Sequence, residues 1–375
     1  MQEVLNYTDS VTRALKICLS KRTNFVAYRL PGNTGIDIVV QKDPEIQCLE
    51  NLTHRLPAHG FLIAPFSRKN DKACLIRPEM VMHHFVTPEQ MKVLEALPEN
   101  PVKKSNHTYP EDTLREDYIR LIQNTIERIN AGEFDKVVLS RIKTVYGKYT
   151  NRLNEIFNIL CCSYPNAFVY LFCVNGQYWT GATPEPFICS KGNELVTVSL
   201  AGTRPYRKDN LEIGNWNAKE LQEQNYVTLH IEKVLHNYAI SAYHKNGPYA
   251  ARAGNLLHLR TDFSFSAHTI GDRLPSLINA LHPTPAVCGM STGKAMDFIR
   301  TAEKHARGYY TGFLGPVGLG ELIQLYVNLR CMRILDDRLV LYVGGGITRD
   351  SLPEEEWEET EIKADTLLSV VQQIR

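Results

Sequence analysis

The chain has 375 residues, 43% hydrophobic and 22% charged, with 42 Lys and Arg against 41 Asp and Glu. Such a near-neutral balance gives no basic footprint for nucleic acid or an anionic membrane surface, and the length predicts either two domains or one large α+β unit. Apolar runs such as Ala167–Phe172 have strand length, far short of a membrane span, and Met1–Tyr7 lacks the basic end and long apolar core of a signal peptide.

The first hundred residues contain strand-like runs, among them Asn24–Tyr28 and Gly60–Ala64, before a polar, proline-bearing stretch from Leu97 to Pro110 that reads as a linker. Leu114, Tyr118, Leu121, Ile122, Ile126 and Ile129 predict a helix from about Glu111 to Ala131, with Gly132 as its stop. A β-rich run, Lys136–Ile142, follows directly, then a helix over Leu153–Cys161 and several strands through Leu200. A long helix is expected over Asn217–Tyr243, with shorter ones at Leu274–Leu281 and Gly293–Ala306. Strands at Ile323–Ile334 and Leu339–Val343 lead into a three-glycine turn, Gly344–Gly346, and a final helix from Pro353. Helices of uneven length between runs of strands do not make a regular βαβ rhythm, so the expected class is α+β rather than doubly wound α/β.

The nine cysteines form no CxxC pair, which suggests reduced thiols in a cytoplasmic protein, and the histidines show no HxH or HxxxH spacing for zinc. No GxxxxGK[ST], GxGxxG or GxSxG pattern is present, so neither a nucleotide cofactor nor a serine-elbow hydrolase is expected.

Several segments can carry chemistry, each with a plainer reading beside it. Lys136 opens an apolar strand, where an enclosed lysine can serve as a base or merely snorkel to the surface. Glu185 stands between Pro184 and Pro186, which fix its direction; it is a general acid or a loop carboxylate. Gly202-Thr203 lies in a small-residue turn able to offer backbone N–H groups to a ligand, or to be only a turn. Glu220 and Glu223 share a helix face, as do Glu356, Glu359 and Lys363, so two helices could clamp a Mg²⁺ ion; acidic first turns also suit the helix dipole. His282, in a proline-rich connection, can donate to a substrate oxygen, while Glu303, Arg307, Tyr310, Gly312 and Gly315 form a spaced set. Arg330, placed in a strand, needs a carboxylate, from a ligand or from an internal salt bridge.

Taken in this order, the segments from 111 to 375 resemble the chorismate-utilising enzymes, the family of anthranilate, aminodeoxychorismate, salicylate and isochorismate synthases. The resemblance implies one large α+β fold of two stacked β-sheets with flanking helices. Residues 1–100 would be the variable part of the scaffold and 111–375 the catalytic region, with a cleft for Mg²⁺ and chorismate. Within the family the isochorismate synthases are most similar, through Lys136 in FDKVVLSR and through His282–Ala286; aminating members lack the lysine and end the latter motif differently. Salicylate synthase, which adds pyruvate elimination, is the alternative.

On this resemblance Lys136 is the base that activates water at C2 and Glu185 the acid at the departing C4 hydroxyl. Glu223 and Glu359 ligate Mg²⁺, with Glu220 and Glu356 close by. Arg330 and Lys363 hold substrate carboxylate. Gly202, Thr203, Tyr310, Gly344 and Gly346 line the ring pocket, and His282 lies near the leaving hydroxyl. The resemblance also implies a cytoplasmic monomer serving menaquinone, siderophore or salicylate synthesis. Gln224, Ser291 and Gly345 depart from the residues usual in the family.

Overall fold

The computed structural model describes residues 9–49, 52, 56, 59–67, 72–101, 111–253, 256–319 and 322–374. Two antiparallel sheets, each of nine strands among these residues, stack face to face. From edge to edge, the first sheet runs Gly289–Met290, Lys136–Tyr146, Arg338–Ile347, Cys331–Ile334, Gln177–Thr183, Phe168–Val174, Asn24–Arg29, Asp37–Gln41 and Met80–His83. The second runs Tyr243–Ala253, Leu256–Ser266, Glu194–Pro205, Pro186–Lys191, Leu322–Val327, Phe313–Leu319, Gly60–Ala64, Ala73–Ile76 and Gln47–Leu49.

Aromatic side chains fill the space between the sheets. Phe168 of the first stacks on Tyr326 of the second at 4.4 Å between ring centroids, and Tyr28 meets Phe61 at 5.4 Å. Each such buried ring removes a large apolar area from water, roughly 1.5–3 kcal/mol apiece. Helices Asp9–Lys21, Pro88–Ala96, Leu153–Ser163 and Pro353–Gln372 cover the outer face of the first sheet. Helices Ala218–Asn237 and Leu274–Leu281 cover the second. Strands from the first hundred residues enter both sheets, so this segment is woven into the sandwich. Most of the expected linker, residues 102–110, lies outside the described residues. No helix among the described residues is long and apolar enough to cross a membrane.

Several expected elements change. The helix expected from Glu111 begins at Arg115; it ends at Asn130, with Gly132 at φ +77° as the stop. The long helix covers only Ala218–Asn237: Tyr238 caps it, Ala239 turns at φ +56°, and Tyr243 opens a strand. Its start is fixed by a capping box, in which Asn217 Oδ1 accepts from the Glu220 amide and Glu220 accepts from the Asn217 amide. The helix expected over Gly293–Ala306 is Thr292–Ala302. Gly344–Gly346 is no turn; the three glycines lie inside the strand Arg338–Ile347, opposite Ser140, Leu139 and Val138. Nor is Gly202-Thr203 a turn after a strand. It is a bulge within Glu194–Pro205, where pairing with Leu256–Ser266 shifts register and Gly202 adopts φ +72°.

The span Ile323–Ile334 is two strands in different sheets, and Arg330 lies between them at φ +48°. The chain crosses between sheets there, at Asn328-Leu329-Arg330, and also at Pro184-Glu185. The two crossings lie side by side: the Val327 amide donates to Glu185 O at 3.0 Å, and the Ala182 amide donates to Arg330 O at 3.1 Å.

Candidate active site

The paired crossings place one acid and one arginine in the interior. Prolines on either side of Glu185 end one strand and begin the next, so the carboxylate is carried on the short link itself. Thr183 Oγ1 donates to Val327 O at 2.6 Å, and Tyr170 OH donates to Asn328 Oδ1 at 2.5 Å, which locks the links together. Glu185 is 4% exposed. Burial raises its pKa to about 8, although Arg330, Lys136 and Arg260 pull the other way. Burial likewise lowers the Arg330 pKa from its ordinary value, opposed by Tyr310, Glu359 and Glu185.

Lys136 begins its strand at the same end of the sandwich and is 1% exposed. A buried ion pair braces this strand: Glu303 accepts from the Ser140 amide at 2.7 Å, and Arg307, held by Glu303, donates to Val138 O at 2.7 Å and Val287 O at 2.9 Å. Arg141 reaches across to the last helix, donating to Thr360 Oγ1 at 2.7 Å with its guanidinium 3.9 Å from the Trp357 ring centre.

The two acidic helices meet the sheets here. On the first, Gln224 turns inward and donates to Ser199, Thr228 and Thr261 hydroxyls at 2.7–3.2 Å, fastening the helix to the second sheet. Its neighbour Glu223 approaches Lys136, with 3.5 Å from Oε2 to Nζ. On the last helix Glu359 pairs with Lys363 at 2.5 Å, and Lys363 also donates to Gly344 O at 2.9 Å. Glu356 pairs with Lys219 at 2.6 Å, and Glu220 with Arg204 at 2.6 Å. Each of the four carboxylates therefore has its own cation. Burial raises the Glu359 carboxyl, but Lys363, Lys219 and Arg330 outweigh it and the net shift is downward. Burial and the Glu359 charge raise Glu356.

One small pocket, about 80 Å³, is lined by Lys136, Glu185, Glu223, Arg330, Glu359 and Lys363. Gly202, Thr203, Tyr310 and Gly344–Gly346 complete its walls. Ligand cavities run to about 300–1,000 Å³, so the side chains here close in on one another. Glu220 and Glu356 are not among the lining residues; Glu220 is engaged by its capping box and Arg204. His282 is not in the wall either: its ring packs edge-on against Phe187 and Phe313 at 5.7 and 5.0 Å, while Ala286 and Val287 of the same connection line the pocket. A larger cleft of about 1,260 Å³, lined by Trp179, Arg333 and Tyr342 among others, contains none of the predicted acids or bases.

His258 was not singled out from the sequence. It lines the pocket, its Nδ1 lies 2.9 Å from Gly202 O, and burial together with Arg330 lowers its pKa to about 4, leaving the ring neutral. A neutral ring facing a carbonyl carries its proton on Nδ1. The available signal was a histidine interrupting the apolar run Leu256-Leu257-His258-Leu259.

Among the described residues no three His, Cys, Asp or Glu side chains form a ready-made metal cage. The donor chemistry nevertheless suits Mg²⁺, which takes one or two carboxylates and completes its shell with water and substrate oxygens. Glu356 Oε1 accepts from Lys219 and Ser351, whereas its buried Oε2 has no hydrogen-bond partner. A Cβ added at Gly345 would lie 3.1 Å from that oxygen, so the glycine keeps the approach to it open.

Comparison with known proteins bears on the chain as a whole. Residues 66–372 match the family described as chorismate binding enzyme. The vibriobactin-specific isochorismate synthase of Vibrio cholerae is 29% identical over 264 residues, spanning 68% of this chain and 66% of that protein. Isochorismate synthase DhbC of Bacillus subtilis is 29% identical over 308 residues, 76% of each chain. In fold, the chain is similar to the solved structure of MenF, the menaquinone-specific isochorismate synthase from Escherichia coli, with TM-score 0.75 and 22% identity over 95% of this chain and 91% of that one.

Proposed function

The chain belongs to the chorismate binding enzyme family, and from that membership we propose that it is an isochorismate synthase, an isomerase that converts chorismate to isochorismate. The observation that carries this reading is the presence of a buried lysine, Lys136, and a buried carboxylic acid, Glu185, in the wall of one pocket with Arg330 and Lys363. The named activity of the relatives supports it.

In this reading water enters at C2 while the C4 hydroxyl departs. Lys136 takes the proton from the attacking water. With a pKa of about 8, Glu185 is protonated at neutral pH and supplies the proton with which the C4 oxygen leaves as water. One water is consumed and one released, so the reaction is an isomerisation and runs in both directions. Arg330 and Lys363 face the substrate carboxylates. The Gly202 bulge and the flat Gly344–Gly346 backbone let the ring approach the main chain. Glu223 and Glu359 would hold Mg²⁺, with Glu356 Oε2 nearby. Bound there, the ion would supply fixed positive charge against substrate carboxylate.

The test is product analysis after incubation of the protein with chorismate and Mg²⁺. Isochorismate alone is the expected product. Fluorescent salicylate would move the assignment to the alternative that also eliminates pyruvate, and unreacted chorismate would remove the assignment altogether.

A further inference from the structure

Lys219 has no place in the reaction outlined above, yet it is closely bound to the site. Its ammonium lies 2.6 Å from Glu356, in a side chain 25% exposed against 2% for the glutamate. It reaches in from one acidic helix, Ala218–Asn237, to the buried carboxylate of the other, Pro353–Gln372. Its charge acts also on Glu223 and Glu359. Three carboxylates on two helices thus share one partly exposed ammonium. Two of them, Glu223 and Glu359, have closer partners in Lys136 and Lys363. For Glu356, Lys219 is the only ion-pair partner among the described residues.

Resting on the Mg²⁺ reading above, we propose that Lys219 is a built-in stand-in for the metal, an ammonium that neutralises Glu356 and is expelled when a divalent cation enters beside it. A buried carboxylate with neither metal nor lysine would be strongly unfavourable next to a second carboxylate. A divalent ion and an ammonium within reach of the same carboxylates would repel each other in a medium of low dielectric. The geometry permits exchange without dismantling the wall. Ser351 donates to Oε1 at 2.7 Å and can stay, Oε2 is unoccupied by any donor, and Lys219 has a solvent-side route out. The long, flexible lysine stem makes that swing inexpensive. In this structure the site therefore holds its helices together by ion pairs that the metal replaces, and metal affinity is set below what the carboxylates alone would give.

Two measurements on the full-length protein test this. In the first, exposed amines of the wild-type protein are acetylated briefly with and without Mg²⁺, and Lys219 modification is read by peptide mass spectrometry. Modification should rise with Mg²⁺; an unchanged or reduced level overturns the proposal. In the second, Mn²⁺ and Mg²⁺ affinities are measured by calorimetry for wild type, Lys219→Met and Lys219→Arg. The Met variant should bind about fivefold tighter or more, the span expected of one competing contact, and the Arg variant should stay near wild type. Equal or weaker binding by a folded Lys219→Met variant overturns the proposal; if that variant folds poorly, the acetylation result on the wild-type protein decides. If neither wild type nor variant binds a divalent ion, the Mg²⁺ reading falls and takes this one with it. If wild type binds and Lys219 does not respond, only the stand-in is lost.

Discussion

Gly346 and Lys136 face each other so closely that a methyl group on the glycine would lie 2.8 Å from Lys136 Cε and 3.3 Å from its Nζ. The same methyl would lie 3.2 Å from Glu223 Oε2. Gly346 has no left-handed backbone, so alanine fits its conformation and acts only through the space it takes. Lys136 is a flexible side chain that can yield, but yielding moves the amine away from its partner. Gly346→Ala is expected to fold normally and to lose about a hundredfold in kcat, the scale of a misplacement near 1 Å. Melting temperature and steady-state kinetics check both halves. Full activity would show that the position of Lys136 is not critical. Gly344→Ala is the contrasting case, because its added Cβ meets the Leu139 carbonyl of the paired strand and should cost stability first.

Glu185 sets an alkaline limit. Its pKa, raised to about 8 by burial, means the acid form is lost as pH climbs through that value. Turnover should therefore fall above pH 8 with a single ionisation in kcat. Glu185→Gln should lower kcat by about 10²–10⁴ below pH 8, and the gap to wild type should narrow as pH climbs past that value. Stability gives an independent readout. Because the folded pKa is above the unfolded value, the folded protein holds the extra proton, and this contribution declines as pH rises from about 4.5 to 8. Wild type should thus lose stability relative to Glu185→Gln across that window. A constant difference in melting temperature from pH 5 to 8 would mean that Glu185 titrates like an ordinary carboxylate.

Apolar periodicity and caps made much of the fold legible in the sequence. The helix ending before Gly132, the strand opening at Lys136 and the helix Leu274–Leu281 follow from local spacing alone. The division of Ile323–Ile334 between two sheets does not. Asn328, Leu329 and Arg330 contain neither glycine nor proline, and Arg330 takes φ +48° because the crossing beside Glu185 requires it. Three consecutive glycines suggested a turn, whereas their flat strand is dictated by what approaches it: Tyr310 OH, Glu356 and Lys136. The carboxylate spacing on both helices was visible, and so was Lys363 one turn after Glu359, yet the cations assigned to Glu220, Glu223 and Glu356 were not, since Arg204, Lys136 and Lys219 are brought in by tertiary packing. His282 stood out in sequence for its proline-rich setting, and its aromatic neighbours Phe187 and Phe313 come from two distant strands.

Gln224 is expected to matter for stability rather than chemistry. It is 4% exposed and makes three hydrogen bonds to buried hydroxyls of Ser199, Thr228 and Thr261. Gln224→Leu removes the amide donor and takes from Thr261 its bond to the helix, while Ser199 and Thr228 keep their bond to each other, at about 1–3 kcal/mol. Denaturant titration should register the loss. Because Glu223 is the adjacent helical residue, KM for chorismate should shift less than the stability does; the reverse pattern would place Gln224 in the binding site.

The four acidic residues expected near the metal should separate by experiment. Glu359 lines the pocket and pairs with Lys363, whose ammonium keeps a second acceptor in Gly344 O when the glutamate is removed. Glu359→Ala should therefore fold and weaken Mg²⁺ or Mn²⁺ binding by about tenfold or more, since loss of even an outer partner costs that much. Glu220 is committed elsewhere: its Oε2 accepts from the Asn217 amide at 3.0 Å and its Oε1 from Arg204 Nε at 2.7 Å. Glu220→Ala breaks the capping box and should lower stability by about 1 kcal/mol, with a smaller effect on metal affinity than Glu359→Ala. Thermal melts beside metal titrations of the two variants distinguish the roles. Equal metal loss in both would mean that Glu220 leaves Arg204 to join the ion, and the helix cap would then have to be remade each time the metal binds.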